Sequence, residues 1–335
     1  MSTNLAANRS PGASTPPPCA PLRRQGTTEN RGLPRVRAPQ VRRFTEDRSK
    51  HFFILPALIL ILLFSIFPLL FSFALAFLSW DLSRLTGGIR FVGLGNFITL
   101  VNDARFWNTA RVTLMFVIGA VSLEYLVGLG VAMLLNQEIR FRRFFRVVFL
   151  MPMMLTPAAV AYGGRMLFNE GQGPLNDIVK FLGGPQIPWF SNTTLALPSL
   201  ILLDAWEWTP FLMIVLLAGL QSLPPEVFEA ARVDGASDWQ SFRLITFPML
   251  APVSVTVILI RGLEAFKMFD IAVVMTGGGP GTATEPVTMY AYLVGMTNGN
   301  LGYASAIAYS LLFMVIVSST LFLKTVRRRA AAAAE

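Results

Sequence analysis

The sequence predicts an all-α membrane protein of six transmembrane helices, and three observations carry that prediction: its composition, the lengths of its apolar stretches and the placement of its Lys and Arg residues. Hydrophobic residues fill 53% of the 335 positions and charged residues only 14%, whereas a water-soluble domain needs about a quarter charged residues for its surface. The bilayer is therefore the expected solvent. Six apolar stretches, near 52–79, 109–135, 147–168, 194–220, 249–271 and 302–324, approach or exceed the ~20 residues that a helix needs to cross about 30 Å of hydrocarbon. Pro56, Pro68, Pro152, Pro157, Pro198 and Pro210 punctuate them, as membrane helices allow when neighbours satisfy the freed carbonyls. Kinked helices around a cavity are implied.

A net charge of +9 raises the possibility of a nucleic-acid partner, since a basic surface is the usual footprint of phosphate binding. The distribution excludes it, because the cations gather in the first fifty positions and at the ends of apolar stretches. With the amino terminus inside, 20 Lys and Arg outside the spans fall on the cytoplasmic side and 4 (Arg84, Arg90, Arg105 and Lys180) on the other. The positive-inside rule then puts both termini in the cytoplasm of a cell-membrane protein.

Residues 1–50, rich in Pro, Ser, Thr and Arg, cannot bury enough apolar surface to offset the entropy of ordering, and are expected to form a disordered basic tail. The expected membrane domain is 51–326, with 327–335 a short cytoplasmic tail. Arg42-Arg43-Phe44 has some twin-arginine character and Ala74-Leu75-Ala76 some cleavage-site character, but the apolar run between them is too long for a signal sequence, so the first span is expected to stay uncleaved. One cysteine, Cys19, and one histidine, His51, exclude an intramolecular disulfide, multi-cysteine or two-histidine metal sites and most histidine-based triads.

The loop 222–248 between spans four and five carries the strongest local signals. Pro224 and Pro225 suit a first helical turn and Gly235 behind Asp234 suits a left-handed stop, giving one short helix. Ser237 with Gln240 three residues on is a capping box that starts a second, and Pro248 marks the beginning of span five. On the first helix Val227, Ala230 and Ala231 share a face beside Glu229. Such a small-residue helix either seats in a partner's groove or packs on its own bundle, and the residue pattern leaves both open.

Glu229-Ala230-Ala231, then Gly235 after three residues, then Ile245-Thr-Phe-Pro248 after nine more, resembles the EAA signature Glu-Ala-Ala-x3-Gly-x9-Ile-x-Leu-Pro of permeases from binding-protein-dependent ABC importers, with Phe247 where Leu is usual. The resemblance implies that Glu229, Ala230, Ala231, Asp234 and Gly235 form a coupling helix docked on a separate ATPase subunit. ATP and Mg would be bound by that partner and no cofactor by this chain. In agreement, no phosphate-cradling Gly-x4-Gly-Lys-Ser/Thr occurs, and the run from Gly277 to Gly281 lacks its lysine and suits a tight turn.

Phe91-Val-Gly-Leu-Gly-Asn-Phe97 and the stretch from Phe269-Asp270 through Thr276 and the glycines to Thr284-Glu285 are similar to segments of the carbohydrate group, which includes maltose and glycerol-3-phosphate permeases. Gly95 departs from the Asp common at its position. The resemblance covers about 52–326 and implies a non-catalytic transport subunit. Its implied partners are a second homologous permease, two ATPase subunits, an extracytoplasmic solute-binding protein, a carbohydrate substrate and the lipid bilayer.

Ionisable residues in a bilayer cost at least about 2.5–3.5 kcal/mol each, so they should face a cavity or a partner. Asp204, Glu207 and Trp208 lie on adjacent turns of span four, while Arg261, Glu264, Lys267 and Asp270 recur every three residues along span five with alternating sign. Counting about 1.5 Å per residue from Pro248 puts Arg261 about 20 Å deep, near mid-bilayer. Carboxylates, a guanidinium and an aromatic face suit a sugar, and Tyr162 or Arg165 would add a wall from span three. A neutral strip locking helices together explains the same ladder, so structural and substrate-contacting roles both stand. Two rivals to ATP-driven import also stand: an ion-gradient carrier using these carboxylates, and a membrane-embedded enzyme or scaffold, although no nucleophile–base constellation is visible for the enzyme.

Overall fold

The computed structural model describes residues 54–82, 88–137 and 140–332; the expected tail, 1–50, lies outside them. The chain divides into two units, Met1–Ile59 and Leu60–Glu335. Of the first, the described part is the helical segment 54–59, and the packing below belongs to the second.

Helix α1 (Ile54–Leu75) leads into a short antiparallel pair, β1 (Leu78–Ser79) with β2 (Arg90–Phe91), in the register Leu78 to Phe91 and Ser79 to Arg90. Then come α2 (Gly95–Val101), the long α3 (Ala104–Asn136), α4 (Arg142–Leu150), α5 (Pro157–Leu167) and α6 (Pro174–Phe181). After them run the long α7 (Thr193–Gln221), α8 (Pro225–Val233), α9 (Asp238–Ala265), α10 (Asp270–Met275), α11 (Val287–Thr297) and α12 (Leu301–Ala332). Five of these, α1, α3, α7, α9 and α12, are long and apolar enough to cross a membrane. The protein is thus an all-α, multi-span membrane protein.

The expected third span, 147–168, is not one continuous helix. It is split by a 3-10 turn, Pro152–Met154, and an extended Leu155 and Thr156 between α4 and α5. Pro152 and Pro157 explain the split: each lacks an amide donor, and Pro157 also holds Thr156 before it in extended geometry, whereas Met151 before Pro152 stays helical. The expected fifth span, 249–271, also shifts. Its helix begins at Asp238 and stops after Ala265, so Lys267 lies in a turn and Asp270 starts α10. Pro248 does not separate α9 from the capped turn at Ser237. A π-turn over Phe242–Thr246, in which Phe247 N–H donates to Phe242 O, carries the helix past the proline.

Helices α3 and α7 make the most extensive contact in the fold, and α9 packs against both. Lipid gives little hydrophobic force between helices, so close van der Waals approach must hold them. Gly128 on α3 supplies it: a Cβ there would lie 3.1 Å from Leu212 Cβ and 3.2 Å from the Met213 amide nitrogen. Phe116 and Leu200 fill one core cluster, and Leu135, Leu212 and Leu216 another. A polar tie, Tyr125 Oη donating to Ser254 Oγ at 3.0 Å, joins α3 to α9.

One end of the bundle is closed by polar locks. Asn96 donates to Ala76 O and Leu78 O at 2.9 and 3.0 Å, pinning the segment that contains Phe91 and Phe97 to the end of α1. Arg105 at the start of α3 grips the buried Glu285 in a two-point contact, Nε to Oε2 3.1 Å and Nη2 to Oε1 2.8 Å. The glycine run makes a tight turn with positive φ at Gly277, Gly278 and Gly281, tied by Thr284 Oγ1 donating to Gly279 O at 2.8 Å. Asp103 caps α3. Burial opposes its charge, but hydrogen bonds from the Tyr290 and Tyr303 hydroxyls and from the Arg105 and Phe106 amides outweigh that and hold its carboxyl below the usual range.

Candidate functional site

Two regions bring the predicted residues together, one in the middle of the bundle and one in the 222–248 loop. In the middle, α7 presents Asp204, Glu207 and Trp208 at spacings of three and four residues, hence on one face. The last turns of α9 deliver Arg261 and Glu264. Beyond Ala265 the chain turns, with Lys267 N–H donating to Glu264 O and Met268 N–H to Ala265 O. That turn sets Lys267 at the rim.

Arg261 is among the most deeply buried large side chains, 2% exposed. Its Nε donates to Glu124 Oε2 at 2.7 Å and its Nη2 to Glu124 Oε1 at 2.9 Å, and Nη2 also contacts Asp204 Oδ2. The guanidinium lies over the Trp208 ring, 4.8 Å from its centroid. A planar fork of five N–H donors can serve two carboxylates and still present its face to an indole. The expected pairing along the span-five ladder is therefore only partly realised. Lys267 does pair with Glu264 at 2.8 Å, exposed, while Arg261 turns across the bundle to α3 and α7.

Glu124 is the residue that sequence reasoning missed. It is fully buried and is the sole acidic residue in the 109–135 stretch; by the same membrane cost that singled out Asp204, it had to have a cationic partner.

Beside this cluster lies a cavity of about 180 Å³, lined by Asp204, Glu207, Trp208, Arg261, Glu264 and Lys267 together with apolar residues such as Phe116 and Met268. Tyr162 lies outside it, its side chain exposed. Arg165 also points elsewhere, donating to Val274 O at 3.2 Å. Glu207 is 4% exposed and lines the cavity without a hydrogen-bond or ion-pair partner among the described residues.

In the loop, α8 runs from Pro225 to Val233 and ends at Gly235, whose φ of +76° is the left-handed stop expected of it. Gly235 N–H donates to Arg232 O at 3.1 Å and Ala236 N–H to Ala231 O at 2.9 Å, the paired bonds of a Schellman ending. The capping box at Ser237 and Gln240 is fully formed. Ala231 turns inward, with Phe228 half-buried beside it, whereas Ala230, about 100° further round the helix, is exposed with Val227 and Glu229. The expected common face of Val227, Ala230 and Ala231 is thus divided, Ala231 being buried and Val227 and Ala230 exposed. A cavity of about 650 Å³ opens here between Phe228, Glu229 and Arg232 of α8, Gln137 beyond α3, and Asp238 and Phe242 of α9.

Comparison with known proteins agrees with this architecture. The family model for binding-protein-dependent transport system inner membrane components matches residues 124–330. The trehalose/maltose transport system permease protein MalF of Thermococcus litoralis is 33% identical over 287 residues, covering 86% of this chain and 96% of the relative. The probable ABC transporter permease protein y4oQ of Sinorhizobium fredii is 36% identical over 276 residues, covering 82% and 89%. Among solved structures, a bacterial alginate ABC transporter in complex with an alginate pentasaccharide-bound periplasmic protein contains a chain with the same fold, at a TM-score of 0.72 and 21% identity over 85% of this chain and 96% of that one. The chain belongs to the family of binding-protein-dependent transport system inner membrane components, as a non-enzymatic permease of the carbohydrate-type ABC importers.

Proposed function

We propose that this chain is one of two permease subunits in an ATP-driven importer, and that it moves a carbohydrate delivered by an extracytoplasmic binding protein into the cytoplasm by alternating access. In this reading six helices cross the bacterial cell membrane, with the Pro-broken α4–α5 segment as the third crossing and both termini in the cytoplasm. The cation bias of the loops supports that orientation.

The observation that carries the mechanism is the exposed helix α8 with its rigid glycine ending beside a 650 Å³ cavity. A short helix with a hydrogen-bonded glycine ending passes on a displacement instead of absorbing it. Glu229, Ala230, Ala231, Asp234 and Gly235 are the proposed coupling element. Exposed Ala230 and Glu229 would contact the ATPase subunit, and buried Ala231 would tie the helix to the bundle. Closure of two ATPase subunits on ATP would then bias the permease pair between outward- and inward-open states.

Asp204, Glu207, Trp208, Arg261, Glu264 and Lys267 are the proposed substrate pathway, with Tyr162 further out on α5. The 180 Å³ cavity is smaller than the roughly 300–1,000 Å³ of a ligand pocket, which fits a site completed by the second permease subunit. The name of the MalF relative supports a carbohydrate as cargo.

The assembled importer in proteoliposomes is expected to take up a labelled sugar only with ATP on the ATPase side, and to keep doing so with an uncoupler present. Uptake that persists without ATP but collapses with the uncoupler would show an ion-gradient carrier instead.

A further inference from the structure

The charges around the central cavity are unequal in sign, and their pairing leaves the surplus on one side. Both cations there are engaged: Arg261 lies between Glu124 and Asp204, and Lys267 is held by Glu264 at 2.8 Å. Two carboxylates, Glu207 and Asp270, line the same cavity with no ion-pair partner among the described residues. Glu207 is 4% exposed and lines that cavity without a hydrogen-bond partner among the described residues.

A buried carboxylate without a partner is costly unless something donates hydrogen bonds to it. Ionised, it accepts only. Sugar hydroxyls are donors and can meet that need. A phosphate, sulfonate or carboxylate on the substrate cannot; it would instead need a cation, and Arg261 cannot be freed without orphaning Glu124 and Asp204, while Lys267 at the rim is shared with Glu264. Like charges in a confined, poorly solvated space repel strongly.

From this we infer that Glu207 is a specificity-determining residue that accepts hydrogen bonds from the hydroxyls of a carbohydrate, and that this chain's side of the site disfavours a negative charge on the cargo. The inference rests on the import reading above and narrows its substrate class. It also separates the roles of the buried acids: Glu124 and Asp204 hold Arg261, and Glu207 faces the substrate.

The test uses the complete importer in proteoliposomes, with maltose or trehalose as neutral probes and glucose 6-phosphate as the acidic one. Neutral-sugar uptake is expected to exceed that of the phosphate at least tenfold. Glu207→Gln should lower neutral uptake about tenfold while the complex stays monodisperse. Glu264→Gln breaks the exposed pair at the cavity rim and releases Lys267, so it should raise glucose 6-phosphate uptake severalfold. Because the binding protein is the same in every arm, that rise would belong to this chain. Preferred uptake of the phosphate by the unmodified importer, or neutral uptake by Glu207→Gln equal to the parent's, overturns the inference while leaving sugar import intact. Uptake of either probe that does not need ATP would break the import reading instead.

Discussion

Arg261→Met is expected to remove about 3–5 kcal/mol from the stability of the folded chain, the usual cost of breaking a buried ion pair from one side. Arg261 alone satisfies two buried carboxylates, Glu124 and Asp204, one from α3 and one from α7. Without the guanidinium, two acids sit side by side with no cation between the three helices that form the centre of the bundle. Thermal unfolding of the purified complex in detergent, followed by loss of the monodisperse peak, reads the effect. Adding Glu124→Gln and Asp204→Asn should restore most of the lost stability, because the penalty comes from orphaned charge and not from missing volume. Arg261→Lys should fall between, since an ammonium keeps the charge but cannot make the two-point contact to Glu124 and lie flat on Trp208. Unfolding of Arg261→Met at the parent's temperature would mean that the cluster contributes nothing to holding the helices.

The second large effect is expected at Gly235, where substitution by Pro should reduce ATP-driven uptake to background without preventing membrane insertion. The native φ of +76° is unreachable for proline, whose ring fixes φ near −65°, and the Gly235 N–H bond to Arg232 O loses its donor. The ending of α8 then unravels, and with it the proposed rigid link from the ATPase to α9. Gly235→Ala, which costs only about 1–2 kcal/mol in the left-handed region, should keep partial uptake. Basal ATP hydrolysis by the ATPase subunits should persist in both variants, separating lost coupling from lost chemistry. Normal uptake by the Pro variant would contradict the coupling role.

The parts of the molecule legible in the sequence were those governed by local rules. Gly235, Ser237 and Gln240 announce helix ends through backbone geometry and short-range hydrogen bonds, and they occupy those ends in the structure. Asp204, Glu207 and Trp208 share a face because 3.6 residues make a turn, and the cavity finds them together. The failures lie where the deciding partner is far away in the chain. Regular spacing every three residues made Arg261, Glu264, Lys267 and Asp270 look like one strip, but α9 ends after Ala265. Arg261 pairs with acids 137 and 57 positions away. Hydropathy also counts apolar length without regard to continuity, so 147–168 passed as a span although Pro152 and Pro157 split it. Glu124 could have been found by asking which lone acid in an apolar stretch must answer a lone buried arginine.

In the proposed mechanism α8 stands at the inner face of the membrane and carries motion from a soluble motor to the membrane helices. Cys19 is the chain's only cysteine, so a Cys19→Ser background with Ala230→Cys gives one addressable thiol on the exposed side of α8. In intact cells a membrane-impermeant maleimide should leave it unlabelled and label it after permeabilisation, and a short bifunctional thiol reagent should join it to the ATPase subunit. Labelling of position 230 in intact cells would put the loop on the outer face and contradict the account.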